Sequence, residues 1–197
     1  MPQAKLLITD DEAPVRTALS AALDEFGYEV RTADHGFSAL AEIRRELPDV
    51  IIADLHMPGM SGFELLSVVR RRFPAIWTIA MSGSFSGDSV PPGVAADAFY
   101  EKGSHSGLLF RLVKAMTQSE RAAHPDRSTA LAPIWIPRNG HDPAGEPYVM
   151  ITCTECLRSF SQVLGGDPAT IQHADCVHCS SPIQYAIVQQ QHCRAAA

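Results

Sequence analysis

The sequence predicts an α/β fold over residues 1–118, a doubly wound parallel sheet of five strands, followed by a small β-rich unit near the C-terminus. Three observations carry this expectation. Apolar runs of strand length alternate with amphipathic helical segments through the first 118 residues. Between Thr117 and Pro147 the composition shifts to Pro, Ala, Ser and Gly with neither helical nor strand period. After that shift come two Cys-x-x-Cys pairs separated by short alternating runs.

Each element follows in order. "AKLLIT" is a buried strand ending at Asp10 and Asp11; Pro14 suits a helix start, and Val15, Leu19, Ala22, Leu23 and Phe26 recur at helical spacing until Gly27. "YEVRTA" alternates like an edge strand, "GFSALAEIRREL" is a helix stopped before Pro48, and "DVIIAD" is apolar enough to be buried on both faces. "GFELLSVVRRRF" is a helix up to Pro74, "AIWTIAMS" and "DAFYEK" are strands, and "SHSGLLFRLVKAMTQSE" is the closing helix. Strands alternating with helices in this way need right-handed crossovers that cover both faces of a parallel sheet.

Composition bounds the function. The chain has 197 residues, 46% hydrophobic and 19% charged, which suits a packed domain plus a smaller one. It contains no apolar run of about 18 residues, and acids follow "MPQAKLLIT" before a signal-peptide core forms. A cytoplasmic location without membrane contact is the expectation. The net charge of −6 argues against a general attraction to phosphate backbones.

In open parallel sheets, ligands bind outside the carboxyl ends of the strands. Here those ends carry Asp10 and Asp11, Asp54, Ser82 and Lys102. Three carboxylates gathered on one edge repel each other unless they share a proton or a cation. A hard divalent ion with oxygen ligands is the simpler answer, and Mg2+ keeps coordination positions open for phosphate and water. Asp54 then becomes a nucleophile toward phosphorus, with Lys102 and the Ser82 hydroxyl neutralising charge on the phosphoryl oxygens.

"DD" after the first strand, "DLHMPGMSGFELL" around Asp54, "MSG" at Ser82 and "FYEKG" around Lys102 resemble, in that order, the receiver domain of bacterial two-component response regulators. The resemblance covers about the first 118 residues and implies a flavodoxin-like fold. It further implies that a histidine kinase or phosphotransfer protein phosphorylates Asp54, and that Asp11, Asp54 and the His56 carbonyl ligate Mg2+, with Asp10 acting through water. By the same resemblance Ser82 is the switch hydroxyl, Phe99 the aromatic that follows it, and Gly83 the small residue that leaves the phosphoryl accessible. At His56 only the backbone is implicated, not the imidazole. Such a chain is a phosphoacceptor, not an enzyme beyond its own phosphorylation and dephosphorylation.

Two features depart from the family pattern. The residue after the lysine is usually proline, but here it is Gly103. Between Ser82 and Lys102, where the family places its fourth helix, this chain reads "GSFSGDSVPPGVAADA". Proline in a helix interior costs about 3 kcal/mol and restricts the residue before it, so a loop is expected, with at most a short turn from Val94. Without that helix, the symmetric dimer common in the family loses its face.

Cys153, Cys156, Cys176 and Cys179 have the spacing C-x2-C-x19-C-x2-C, which fits tetrahedral Zn2+. A redox pair would open a helix, and neither pair does; two disulfides disagree with a reducing compartment. With "YVMIT", "RSFSQV", "TIQHA" and "IQYAIV" as strands and Gly165, Gly166 and Pro168 at a turn, the segment resembles a zinc ribbon. A unit of roughly 45 residues buries too little apolar surface to fold alone, so a metal would supply much of its folding energy. His173, His178 and His192 are spare, and Cys193 is expected to be an unligated thiol. The domain reading is receiver 1–118, linker 119–146, ribbon 147–190 and disordered tail 191–197. Within the linker "PIWIP" is too apolar for water; docking on a neighbouring domain is preferred over pairing as an edge strand.

Zinc ribbons bind DNA, RNA or proteins. From Glu120 onward the chain has five arginines, no lysine and seven acids. That balance favours a downstream protein partner over DNA, the alternative being a transcription regulator whose ribbon contacts DNA.

Overall fold

A computed structural model of the protein describes residues 3–87, 89–91, 94–118, 134–136, 140–165 and 171–187. The N-terminal unit runs β1 (Lys5–Thr9), α1 (Ala13–Glu25), β2 (Glu29–Ala33), α2 (Gly36–Arg45), β3 (Val50–Asp54), α3 (Gly62–Arg72), β4 (Trp77–Ser82), β5 (Ala98–Glu101) and α4 (Ser106–Gln118). Its five strands form one sheet in the order β2-β1-β3-β4-β5, every neighbouring pair parallel. Alternate residues of one strand face opposite sides. Leu7, Ile51 and Ala53 therefore join one core with α2 and α3, while Leu6, Ile8, Val50 and Ile52 join the other with Leu109 and Val113 of α4. The doubly wound sheet expected from the sequence is the one observed.

Local chemistry sets the helix ends. His35 caps α2, its ring nitrogen accepting from the Ser38 amide while the Ser38 hydroxyl accepts from the His35 amide. The helix ends at Arg45, two residues short of the apolar pattern, for two reasons. Glu46 is drawn into an ion pair with Lys5 and its carbonyl accepts from Arg31, and Pro48 disfavours a helical residue before it. Between β4 and β5 the described residues contain no helix, as the double proline predicts; the Val94 amide closes a turn on the Pro91 carbonyl. Asp97 pins the far end of this loop, accepting from the Thr78 amide and from Arg70, each at 2.8 Å.

The C-terminal module is all β: β6 (Ile134–Ile136), β7 (Gly140–His141), β8 (Pro147–Thr152), β9 (Ser159–Val163), β10 (Gln172–Asp175) and β11 (Pro182–Ile187). They form two three-stranded sheets, β7-β8-β9 and β10-β11-β6. The sequence reading of 119–146 as linker needs correction at two places, because β6 and β7 lie within it. β6 pairs in parallel with β11, and Ile134 and Ile136 are buried in the module's own core with Val149, Ile151 and Tyr185. Residues 119–133, Gly166, Pro168, His192, Cys193 and the tail 191–197 lie outside the described residues.

The described part of "PIWIP", Ile134–Ile136, does both things considered for it: besides pairing with β11, β6 runs against α3, as does β8. A surface helix normally keeps one face in water. In α3 every residue from Gly62 to Val69 is buried. The module supplies the missing cover, and Leu157 from it packs against the core on the α2–α3 side of the sheet.

Candidate functional site

The carboxyl ends of β1, β3, β4 and β5 bring the expected residues together. Asp10 is fully buried and Asp54 nearly so, while Asp11 is exposed; one carboxylate oxygen from each lies within 4.8 Å of the others. Lys102 reaches in from the end of β5, its Nζ 2.8 Å from Asp10 Oδ2 and 2.8 Å from Asp54 Oδ2. Burial works to lower the lysine's pKa, but hydrogen bonds and charge from Asp10 and Asp54 outweigh it, and the ammonium is held protonated. Burial pushes the Asp54 carboxyl above its ordinary range, partly offset by Lys102 and by the His56 amide, which donates to Oδ1 at 3.2 Å.

The Lys102 ammonium pairs with Asp10, Asp54 and, at 3.2 Å, Glu12, while Asp11 adds a further carboxylate beside Asp10 and Asp54. The cluster therefore carries excess negative charge in a mostly buried place. Asp10 Oδ2 is buried, with the Lys102 ammonium as its partner at 2.8 Å. An all-oxygen donor set with a spare buried lone pair fits a hard cation such as Mg2+.

Ser82 is fully buried at the end of β4; its hydroxyl accepts from the Ser84 amide at 3.1 Å and lies 3.3 Å from Nδ1 of His56. The imidazole, which sequence reasoning set aside, thus reaches the site. It stacks on Phe85 and meets Phe63 edge-on. Phe99 is buried in the core, edge-on to Phe85. A Cβ on Gly83 would meet Lys102 only at an ordinary 3.8 Å. Gly103 has φ of +86°. Proline is locked near −65°, so this turn is one the family's usual residue could not make.

Sequence reasoning missed two neighbours of the site. A Cβ on Gly62 would fall 2.0 Å from the Asp54 carbonyl oxygen, so only glycine lets α3 start there. Glu64, one turn into α3, is buried, and its Oε1 accepts from the Thr152 amide at 2.6 Å. The apolar run "GFELL" hinted at a helix with one misplaced acid; nothing local pointed to a partner 88 residues away.

The four cysteines also converge. Cys153 and Cys156 lie between β8 and β9, Cys176 and Cys179 between β10 and β11, with all four sulfurs within 4.8 Å of one another. Sγ of Cys153 is 3.6 Å from that of Cys179, and Cys156 is 3.7 Å from Cys176. A disulfide needs about 2.0 Å. Zn–S bonds of about 2.3 Å in a tetrahedron separate the sulfurs by about 3.8 Å, so the donor set has the size of a zinc site.

The two knuckles repeat each other. In each, the amide two residues after the first cysteine points at its sulfur at 3.4 Å, from Glu155 and from His178. The residues following the second cysteines, Leu157 and Ser180, adopt φ of 57° and 58° and donate to the carbonyls of Cys153 and Cys176. Burial pushes the Cys153 thiol up to about 12, whereas hydrogen bonds from Ser181 bring that of Cys179 down to about 6. His178 turns away from the four sulfurs to the Ser159 carbonyl, 3.2 Å from its Nε2.

Residues 6–100 match the family model for the response regulator receiver domain. The structure of the response regulator TrrA from Thermotoga maritima, in complex with Mg(2+)-BeF, is 30% identical; the match covers 58% of this chain and 99% of that one, with a TM-score of 0.54. The N-terminal unit is a receiver domain. The response regulator PleD of Caulobacter vibrioides is 37% identical over 123 residues, covering 58% of this chain and 26% of its own. A protein-glutamate methylesterase/protein-glutamine glutaminase of Anaeromyxobacter dehalogenans is 30% identical over 200 residues, covering 86% of this chain and 56% of its own. The chain spans 26% of the length of the first of these curated relatives and 56% of the second. Receiver domains are phosphoacceptors in two-component signalling. No helix among the described residues is long and apolar enough to cross a membrane.

Proposed function

We propose that the chain is a response regulator phosphorylated on Asp54 by a histidine kinase or phosphotransfer protein, and that its C-terminal module, organised by zinc, relays the change to a protein partner. The observation that carries this reading is the meeting of Asp10, Asp11 and Asp54, with the Lys102 ammonium paired to Asp10 and Asp54. Asp11, Asp54 and the His56 carbonyl would hold Mg2+, with Asp10 acting through water; when bound, the ion neutralises charge on the phosphoryl oxygens.

In the transfer, a carboxylate oxygen of Asp54 attacks phosphorus. An O–P bond forms as the bond from phosphorus to the donor's imidazole nitrogen breaks, the electron pair leaving with that nitrogen. Lys102, already 2.8 Å from Asp54, moves from the carboxylate to the phosphoryl group. Ser82 exchanges its contact with His56 for a phosphoryl oxygen. Water later cleaves the mixed anhydride.

Cys153, Cys156, Cys176 and Cys179 would hold Zn2+ with no open position, a structural site. The acid excess after Glu120 supports a protein partner over DNA.

The test is incubation of the full chain with acetyl phosphate and Mg2+, followed by intact mass measurement and peptide mapping. One added phosphoryl group on Asp54, absent in Asp54→Ala, is the expected result. No gain in mass would remove the signalling reading. DNA retention with a steep salt dependence, strengthened by phosphorylation, would replace the protein partner with DNA.

A further inference from the structure

Helix α3 is held at two points by two different sites. At its first residue, Gly62 sits on the backbone of the phosphoacceptor: a Cβ would lie 2.0 Å from the Asp54 carbonyl oxygen and 2.8 Å from Leu55 Cα, and the Gly62 amide donates to the Leu55 carbonyl. Two residues on, the buried Glu64 carboxylate accepts from the Thr152 amide at 2.6 Å. Thr152 immediately precedes Cys153, and its hydroxyl pairs with that of Ser159 at 2.8 Å, closing the strand pair that carries the first knuckle. A short run of covalent and hydrogen bonds therefore joins the Asp54 backbone to the first of the four thiols.

We propose that Glu64 is a positioning residue that links metal occupancy of the four-cysteine site to occupancy of the acidic site, each raising affinity at the other through α3. This rests on the reading that the thiols hold zinc and the acidic cluster holds magnesium with a phosphoryl group. A module this small docks only when its metal folds it. Docked and undocked module are the two states that both sites bias.

In the undocked state Glu64 loses the amide it accepts from, and α3 loses the cover of β6 and β8. A buried acceptor without a donor is costly, so the first turn of α3 relaxes toward water. That turn fixes the backbone leading from Asp54, including the His56 carbonyl. Metal in the module thus keeps the acidic site organised. By linkage, an occupied acidic site favours the docked module by the same factor.

The test uses the full chain. Zn2+ is titrated against a chromophoric chelator with Mg2+ present, with and without beryllofluoride, and Mg2+–beryllofluoride binding is measured by calorimetry on zinc-loaded and zinc-free protein. Zinc should bind about fivefold or more tightly with beryllofluoride, and the reciprocal factor should be equal. Glu64→Leu, of similar volume, should keep both binding events and lower the factor, the cover of α3 by β6 and β8 being left in place. Glu64→Gln, whose amide oxygen still accepts, should retain it. If the Leu variant does not fold, Thr152→Pro, which removes the amide donor, should give the same loss. Equal zinc affinity with and without beryllofluoride, or a factor unchanged without the acceptor, overturns the proposal while leaving the functional reading intact. Failure of zinc or beryllofluoride to bind at all overturns both.

Discussion

Glu64 is an acid placed in an otherwise apolar stretch of α3, and its burial raises its pKa to about 7, with hydrogen bonds from Thr152 pulling the other way. A carboxyl whose folded pKa exceeds its unfolded value binds protons more tightly when folded. Its contribution to stability is therefore most favourable below the unfolded pKa and declines as pH rises through about 7. A shift of this size corresponds to about 3 kcal/mol at most. Glu64→Gln removes that titration and keeps the shape, so denaturant unfolding should show the variant gaining on the wild type between pH 5 and 7.5; a constant difference would contradict it. At this scale the residues of the acidic site were legible because strand ends announce themselves in sequence: Asp10, Asp11, Asp54, Ser82 and Lys102 each close an apolar run. The His56 imidazole and Glu64 were not. Their partners, Ser82 and Thr152, are 26 and 88 residues away, and facing relations at that distance leave no local pattern.

The elements show the same division. Strands and helices of the receiver follow their own apolar periods, and the two prolines after Val90 leave no helix among the described residues between β4 and β5. β6 is different: three residues with no period of their own become a strand only because β11 offers an edge and α3 a surface. Such an element is specified by tertiary contact, so composition assigned its neighbourhood to a linker. Ile134 is fully buried in it. Truncation to Ala should cost about 2–5 kcal/mol, the range for a buried aliphatic side chain, read as a lowered denaturation midpoint of the C-terminal module. A change under about 0.5 kcal/mol, typical of surface positions, would mean that β6 does not hold the module together.

At the scale of the whole molecule, the C-terminal module does not hang from the receiver but covers α3, with Leu157 packed on the receiver core and Arg72 within 3.7 Å of Glu155. The exposed ion pair adds little; the apolar contacts and the Glu64 hydrogen bond make the junction. The module's own core is small, and structural zinc in zinc-finger peptides supplies apparent free energies of about 10–16 kcal/mol at neutral pH. If the four thiols hold Zn2+ as proposed, removing it should remove the fold of the module and with it the cover of α3. Hydrogen exchange in the presence of a strong chelator is expected to release the amides of β8, β9, β10 and β11 together. The amides of α3 should exchange faster as well, while β1, β3 and α4, whose buried residues belong to the receiver's own core clusters, keep their protection. Persistence of protection in β8–β11 under chelation would show that the four thiols do not hold the module folded. Release of the module without any change in α3 would show that the two units merely touch, because a helix that depends on its cover cannot lose it unaltered.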